Sequence, residues 1–458
     1  MASINRNRPT RSGRFLLTIL LILILITIAG GYILFFESEK PDAGFGSTGE
    51  YVGQDSIVEY LVSDKKSGIR SISLYAAQGE TQKVLHTVTF PRSSYKGQAG
   101  PLEDNKSLPF NGLKHGFKDG SLTLTLEVTD FSFNGWLKGN KTVVEKHVTI
   151  DTKPPRIQII HDEKYIIPGG SGVAIYRLFE KDSRHGVAVN GHFNPGFLIG
   201  DGRDDTYISF FALPFDADKI DSLAITAVDR AGNSANVPFS TVYKADKKKK
   251  DRINVSNSFL SKKIPEFQQY YPAMSGSPLD KYLYINNTIR KQNNQEISAL
   301  CKNPLDERLW RGKFLRMAGS SRAGFADYRT YFYDGKAVDN QVHLGMDIAS
   351  TRRAEVKASN RGMVIFADYL GIYGNMVMLD HGQGVFSLYS HLSKINVTPG
   401  DKVDQKAVLG LTGTTGMAGG DHLHFSMLIN GIFVMPKEWW DQHWIDVTIE
   451  EPITDSKF

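Results

Sequence analysis

Between Phe15 and Phe36 the chain runs without a single charged side chain, FLLTILLILILITIAGGYILFF. At about 1.5 Å of rise per residue such a run makes a helix about 33 Å long, enough to cross the hydrocarbon core of a bilayer. Residues 15–36 are therefore expected to be a transmembrane anchor. Arg6, Arg8, Arg11 and Arg14 precede the run and Glu37 and Glu39 follow it. Basic flanks stay in the cytoplasm, so residues 1–14 read as a cytoplasmic tail. Everything after the anchor is expected on the periplasmic side of an inner membrane. The competing reading is a cleaved signal peptide, with Ala29-Gly30-Gly31 as small residues at a cut site. The apolar run continues past that point, which favours a retained anchor.

The net charge of +5 has the same origin, because four of those charges lie in the short basic tail. The rest of the chain is nearly neutral, which argues against nucleic-acid binding. Cys301 is the only cysteine, so no intrachain disulfide can form, and it reads as a small buried apolar residue. A chain of 458 residues is long enough for two to four domains.

Residues 37–50 are polar and glycine-rich and read as a linker. Beyond them come short alternating runs such as Leu122-Thr-Leu-Thr-Leu-Glu-Val128 and Val143-Val-Glu-Lys-His-Val-Thr-Ile150. Alternation with period two predicts half-buried strands. A weak repeat, in which an alternating strand is followed by Asp, a Gly-containing turn and a final strand, ends near 152 and again near 243. Two β-sandwich modules are expected, 51–152 and 153–243, with turn patterns resembling bacterial immunoglobulin-like modules. Thr152-Lys-Pro-Pro155 fits the joint between them. The charged run from Lys244 to Arg252 reads as a solvated linker or exposed helix start. It opens a helical connector over 244–320, with Asp280–Asn303 the most helical stretch. From 321 to 445 strands return, and an antiparallel sheet domain is expected, followed by a tail over 446–458. The fold class is thus mainly β, with an N-terminal transmembrane helix.

Inside that last domain stand His343, Asp347, His391, His422 and His424. Residues two apart on a strand share a face, so His422 and His424 point the same way. His343 and Asp347, four apart, do likewise unless Gly345 bends the chain. A neighbouring strand carrying His391 would complete a cluster. Zinc takes imidazole nitrogen and carboxylate oxygen, and a catalytic site keeps one position open for water. The other histidines lack such spacing. His381 and His443 read as structural. The glycine-rich stretch 410–420 lacks a Gly-Lys-Ser/Thr ending and reads as a turn, not a phosphate loop.

His343-Leu-Gly-Met-Asp347, Tyr389-Ser-His-Leu-Ser393 and His422-Leu-His-Phe425, with GNMVMLDHG (374–382) and GLTGTTG (410–416), resemble the lysostaphin/LytM-type M23 zinc metalloendopeptidases of bacterial cell walls. The resemblance implies that His343, Asp347 and His424 ligate Zn2+. It implies that His391 and His422 are catalytic groups over the open position, acting on a zinc-bound water that attacks a peptide carbonyl. Tyr331 or Tyr333 could add a hydroxyl near the oxyanion, against the alternative of packed strand aromatics. Two positions depart from the family pattern: Gly419-Gly420-Asp421 stands where Thr-Gly-Pro is frequent, and Ser426 stands where Glu is frequent. The implied activity is hydrolysis of peptide cross-links in peptidoglycan. The alternatives are a non-catalytic LytM-like scaffold that activates another cell-wall hydrolase, or a wall-binding adhesin built on the modules. Cell-wall or division proteins are candidate partners of those modules.

Overall fold

A computed structural model describes residues 11–35, 37–95, 97–134, 138–245 and 249–457. Arg6, Arg8 and Phe36 lie outside the described residues, as do Asp246, Lys247 and Lys248 of the charged run. The described chain is mainly β, with one long apolar helix, α1 (Arg11–Phe35), near its N-terminus. The stretch Arg14–Tyr32 is long and apolar enough to cross a membrane, and none of it is buried against protein.

The chain divides into two compact units. The first holds the residues up to Pro154 together with Asp229–Asn233. It contains a five-stranded sheet, in the order Tyr51–Val52, Lys141–Ile150, Gly120–Asp130, Ile69–Gln78, Thr81–Thr89. A three-stranded sheet is formed by Asp42–Phe45, Ser56–Ser63 and Glu103–Phe110. Val58, Tyr60 and Val62 of the smaller sheet share one core with Leu122, Leu124, Leu126 and Val128 of the larger. Burial alternates strictly along Gly120–Asp130, so the period-two pattern of LTLTLEV is realised as one buried and one wet face.

The second unit holds Pro155–Val228 and Ser234–Phe458. Residues 153–243 supply its first strands. Their strands Ser171–Leu178 and Thr206–Ala212 pair antiparallel and are buried on both faces. Ala174, Tyr176 and Phe211 meet Val187 and Ile225 on one side. Val173, Ile175, Ile208 and Phe210 join Trp310, Phe314 and Trp439 on the other, in the core that continues into the C-terminal sheet. The physical reason lies in the sequence: these strands are near-continuous apolar runs rather than alternating ones, the signature of a sheet covered twice. Ser171 seals the junction: its N–H donates to Glu438 Oε2 at 2.9 Å and its Oγ accepts from Trp439 Nε1 at 3.1 Å.

The rest of the unit frames the site. The last three residues of the charged run lie in a strand, because β1 (Lys250–Asn254) pairs in parallel with β3 (Asp327–Tyr333). Its alternating Arg252 and Ile253 suit an edge strand, and Arg252 stacks on Phe332 at 3.6 Å. Helices α2 (Asn257–Tyr270), α3 (Pro278–Tyr284) and α4 (Arg290–Leu300) follow, the last two joined by a π turn over Ile285–Ile289. Ser256 and Ser277 cap α2 and α3, Ser277 through a full capping box with Asp280. β3 pairs with β4 (Lys336–His343). A larger antiparallel sheet then takes β2 (Ser320–Ala323), β5 (Met346–Ala349), β6 (Gly362–Leu370), β7 (Gly374–Asp380), β8 (Val385–Leu392), β9 (Lys402–Val403) and β10 (Leu423–Ile429). Their order across it is β2-β5-β10-β8-β7-β6-β9, with Ile432–Val434 folded back on β10. Residues 446–458, expected as a tail, are helical as far as Asp455, and Ile449 is fully buried.

His381 is one of the structural histidines. It is fully buried, edge-on to Phe314 at 4.8 Å, with Nε2 2.7 Å from Ser387 Oγ. Burial pushes its pKa down to about 4 from an ordinary 6.5. Below pH 6.5 the unfolded chain therefore takes up a proton that the folded chain resists down to about 4. This contribution is complete above pH 6.5 and is lost as pH falls through that window, by about 3 kcal/mol. Denaturation followed by tryptophan fluorescence at pH 7 and 4.5 should show a smaller loss for His381→Gln than for wild type. Equal losses would mean that His381 does not set this sensitivity.

Candidate metal centre

His343 ends β4 and Asp347 lies in β5, so Leu344-Gly345 carries the chain from the three-stranded sheet into the larger one. Asp347 is in register with His424 on β10, and His424 with Ser390 on β8. Three elements thus bring together residues that are remote in the chain. A Cβ on Gly345 would fall 2.6 Å from His424 Cε1 and Nε2 and from Ser426 Oγ. Only glycine lets the imidazole of His424 approach this closely.

His343 Nε2, Asp347 Oδ1 and His424 Nδ1 form a triangle with edges of 3.0, 2.9 and 3.0 Å. The opposite edges of the rings are already engaged. His343 Nδ1–H donates to Gly324 O at 2.7 Å. His424 Nε2 lies 3.1 Å from Ser426 Oγ, whose hydroxyl donates to Leu344 O at 2.8 Å, so Oγ accepts from Nε2–H. With both protons committed outward, two imidazole lone pairs and a carboxylate oxygen converge on one point. Three acceptors at that spacing repel one another unless a cation lies between them, and the N2O set suits zinc. His343 and His424 are 6% and 4% exposed, so water alone does not screen them.

His391 and His422 stand beside the triangle. Their ring centroids are 4.9 Å apart, and His391 is 5.7 Å from His424. His391 Nδ1–H donates to Thr415 O at 2.9 Å and His422 Nδ1–H to Gly420 O at 2.7 Å. Each therefore turns Nε2 away from its carbonyl partner, and that of His422 is 3.4 Å from Asp347 Oδ1. His391 holds a left-handed backbone with φ 63, a conformation that non-glycine residues seldom adopt. Burial, then the neighbouring His422 and His424, depresses its pKa well below the usual value. Burial opposes protonation of His422 too, but its hydrogen bond to Asp347 wins and raises it. Burial pushes His424 down to about 4. Burial favours protonation of Asp347, yet the charge and hydrogen bond of His343 outweigh it and hold the carboxyl well below its ordinary range.

All five residues singled out by spacing meet here, and the two tyrosines diverge. Tyr331 is buried and lines the cleft, while the Tyr333 hydroxyl donates to Asn257 Oδ1 at 2.7 Å, away from it. Spacing did not single out Arg329, whose Nη2 lies 3.3 Å from Asp347 Oδ2. It sits two residues before Tyr331 on one strand face, a placement that period-two reading could have flagged. Nor did it single out α2. Lys263 Nζ donates to Thr414 O, and Glu266 Oε1 accepts from Gly416 N. These bonds fix the loop whose Thr415 carbonyl holds His391. The cleft lined by the five residues, Arg329 and Tyr331 is about 620 Å³.

Comparison with known proteins agrees with this geometry. The profile of Peptidase family M23 matches residues 341–436. The DD-carboxypeptidase/endopeptidase Mpg of Neisseria meningitidis is 41% identical over 96 residues, which are 21% of this chain and 22% of Mpg. The murein hydrolase activator EnvC of Escherichia coli is 37% identical over 95 residues, 21% of this chain and 23% of EnvC. A crystal structure of a putative peptidase M23 from Pseudomonas aeruginosa is 22% identical, covers 60% of this chain and 95% of that one, and has a TM-score of 0.35. The chain thus spans less than a quarter of the length of these two curated relatives. The match to the M23 profile thus falls on the C-terminal part of the chain, the stretch that carries all five site residues.

Ser426→Ala removes the acceptor that holds the Nε2 proton of His424. Zinc affinity, measured by chelator competition, should fall about 10- to 100-fold while circular dichroism stays unchanged. Unchanged affinity would exclude this role for the hydroxyl.

Proposed function

We propose that the protein is a zinc-dependent endopeptidase, anchored in the inner membrane by α1, that hydrolyses peptide cross-links of peptidoglycan on the periplasmic side. The observation that carries this reading is the convergence of three lone pairs within 3.0 Å, next to two further imidazoles in an open cleft. His343, Asp347 and His424 would hold the metal, and its N2O donor set fits zinc. Zinc, when bound, supplies a Lewis acid for the carbonyl and lowers the pKa of water to about 7. The protein's own groups do the rest. Arg329 pairs with Asp347 Oδ2 and so turns Oδ1 toward the imidazoles. The carbonyls of Thr415 and Gly420 fix the tautomers of His391 and His422. At Nε2 those two rings can accept a proton from the attacking water and return one to the leaving amine. A ring that holds the proton can stabilise the oxyanion.

The name of Mpg, a DD-carboxypeptidase/endopeptidase, supports the endopeptidase activity. We read the paired sheets of 51–152 and of 153–243, the latter packed on the C-terminal core, as immunoglobulin-like folds that offer surfaces to cell-wall or division proteins. A second reading follows from EnvC, an activator of murein hydrolases by name. In that case the domain would dock a partner hydrolase without turning over.

Digestion of purified sacculi, read by mass spectrometry, distinguishes the two. Wild type loaded with zinc should release fragments from cut cross-links, and His424→Ala should release none. His391→Ala and His422→Ala should keep their zinc and lose about 10²- to 10⁴-fold in kcat. Zinc-loaded wild type that cuts nothing yet stimulates an added amidase would favour the scaffold.

A further inference from the structure

The cleft carries unmatched positive charge. Its walls include Lys262, Arg290, Arg322 and Arg329, against the acids Asp251 and Asp347. Arg329 is matched by both acids, with Nε 4.0 Å from Asp251 Oδ2 and Nη2 3.3 Å from Asp347 Oδ2. Lys262, Arg290 and Arg322 have no carboxylate within salt-bridge distance among the described residues. A cleft with low-dielectric walls and unmatched charge of one sign concentrates ligands of the other.

Two of these cations are placed by local irregularities of the backbone. Along β2, Ser321 pairs with Ile348 and Ala323 with Asp347, so Arg322 is the extra residue of a β-bulge. A bulge next to a site re-aims a side chain, and this one borders the strand that bears Asp347. Arg290 follows directly on the π turn Ile285–Ile289. Its Nε donates to Asn286 O at 3.1 Å and its Nη2 to Asn286 Oδ1. Asn286 is held in turn by Asp339 Oδ2 at 2.6 Å. The guanidinium is thus oriented by a neutral partner, with donors left over and its charge unspent. Guanidinium forks suit carboxylates, which they can bind by two parallel hydrogen bonds.

We propose that Arg322 and Arg290, with Lys262 on α2, bind free carboxylates of the substrate peptide, so that the enzyme selects anionic cross-linked stems over neutral bridges. This rests on the peptidase reading for its biological meaning, but binding and turnover test it separately. The probes are an uncross-linked stem peptide ending in a diamino acid with a free carboxylate, and the same peptide with that carboxylate as its amide. Binding to the full zinc-loaded chain is measured by calorimetry, and turnover on the corresponding cross-linked dimers. Amidation should weaken binding to wild type about 10- to 100-fold, the usual effect of losing a hydrogen bond to a charged group. Arg322→Gln, an exposed position where the fold is not at risk, should weaken the acid and leave the amide nearly unchanged. Arg290→Gln should act the same way, with zinc content retained. Equal binding of acid and amide by wild type, or an Arg322→Gln variant that still discriminates, overturns the proposal. Discrimination in binding without cleavage of either dimer would overturn the peptidase reading and leave this one standing. Cleavage of both dimers with equal KM would do the reverse.

Discussion

The structure depends on an arrangement that would be unstable by itself: three hydrogen-bond acceptors held about 3 Å from one another in a nearly dry site. Such repulsion is tolerated only where each group is pinned from behind. Gly324 O, Ser426 Oγ and Arg329 do that for His343, His424 and Asp347 respectively. Each pin comes from a different element, and the elements meet at Leu344-Gly345, where the small sheet passes into the large one. The glycine matters for space, because any side chain there would stand where the ring of His424 stands.

A site assembled from strands needs strands that do not move. β8 and β10 are buried along their whole length, and their apolar side chains join a core that reaches through Trp310 and Trp439 into Val173, Ile175 and Phe210. The sheet of residues 157–212 therefore backs the candidate metal centre. Dense packing of this kind transmits strain instead of absorbing it. That is consistent with His391 persisting in a left-handed conformation, with its ring fixed by Thr415 O.

Local patterns in the sequence were legible where one periodicity ruled. Leu122, Leu124, Leu126 and Val128 alternate, and the strand they form alternates. His343 with Asp347 and His422 with His424 were legible by their spacing, and His391 only by the family resemblance. What could not be read was context. SGVAIYRL and TYISFFA are apolar on both faces, which says that they are covered twice but not by what. Ser426 was visible only as a departure from the family pattern. Its role needs the knowledge that β10 passes beside the Leu344 carbonyl. Charge misled in the connector, because a run of lysines next to Asp251 and Arg252 looks solvated, and pairing of β1 with β3 is a long-range event that local composition does not encode.

That pairing changes what the domain is. Cut at residue 320, β3 would lose its parallel neighbour, and Arg329 would lose Asp251. The loop 413–420 would lose Lys263 and Glu266, and with them the constraint on the carbonyl that orients His391. Tyr270 stacks on Tyr369 at 3.7 Å, and Asn293 Oδ1 accepts from Ile372 N at 2.9 Å, so α2 and α4 are bound to the sheet on the cleft side. The triangle of His343, Asp347 and His424 draws on none of these contacts. A fragment starting at 320 would thus keep that triangle and lose the geometry of the imidazoles beside it. The packing that shapes the site thus reaches back at least to residue 250, about ninety residues before the first position that the family profile recognises.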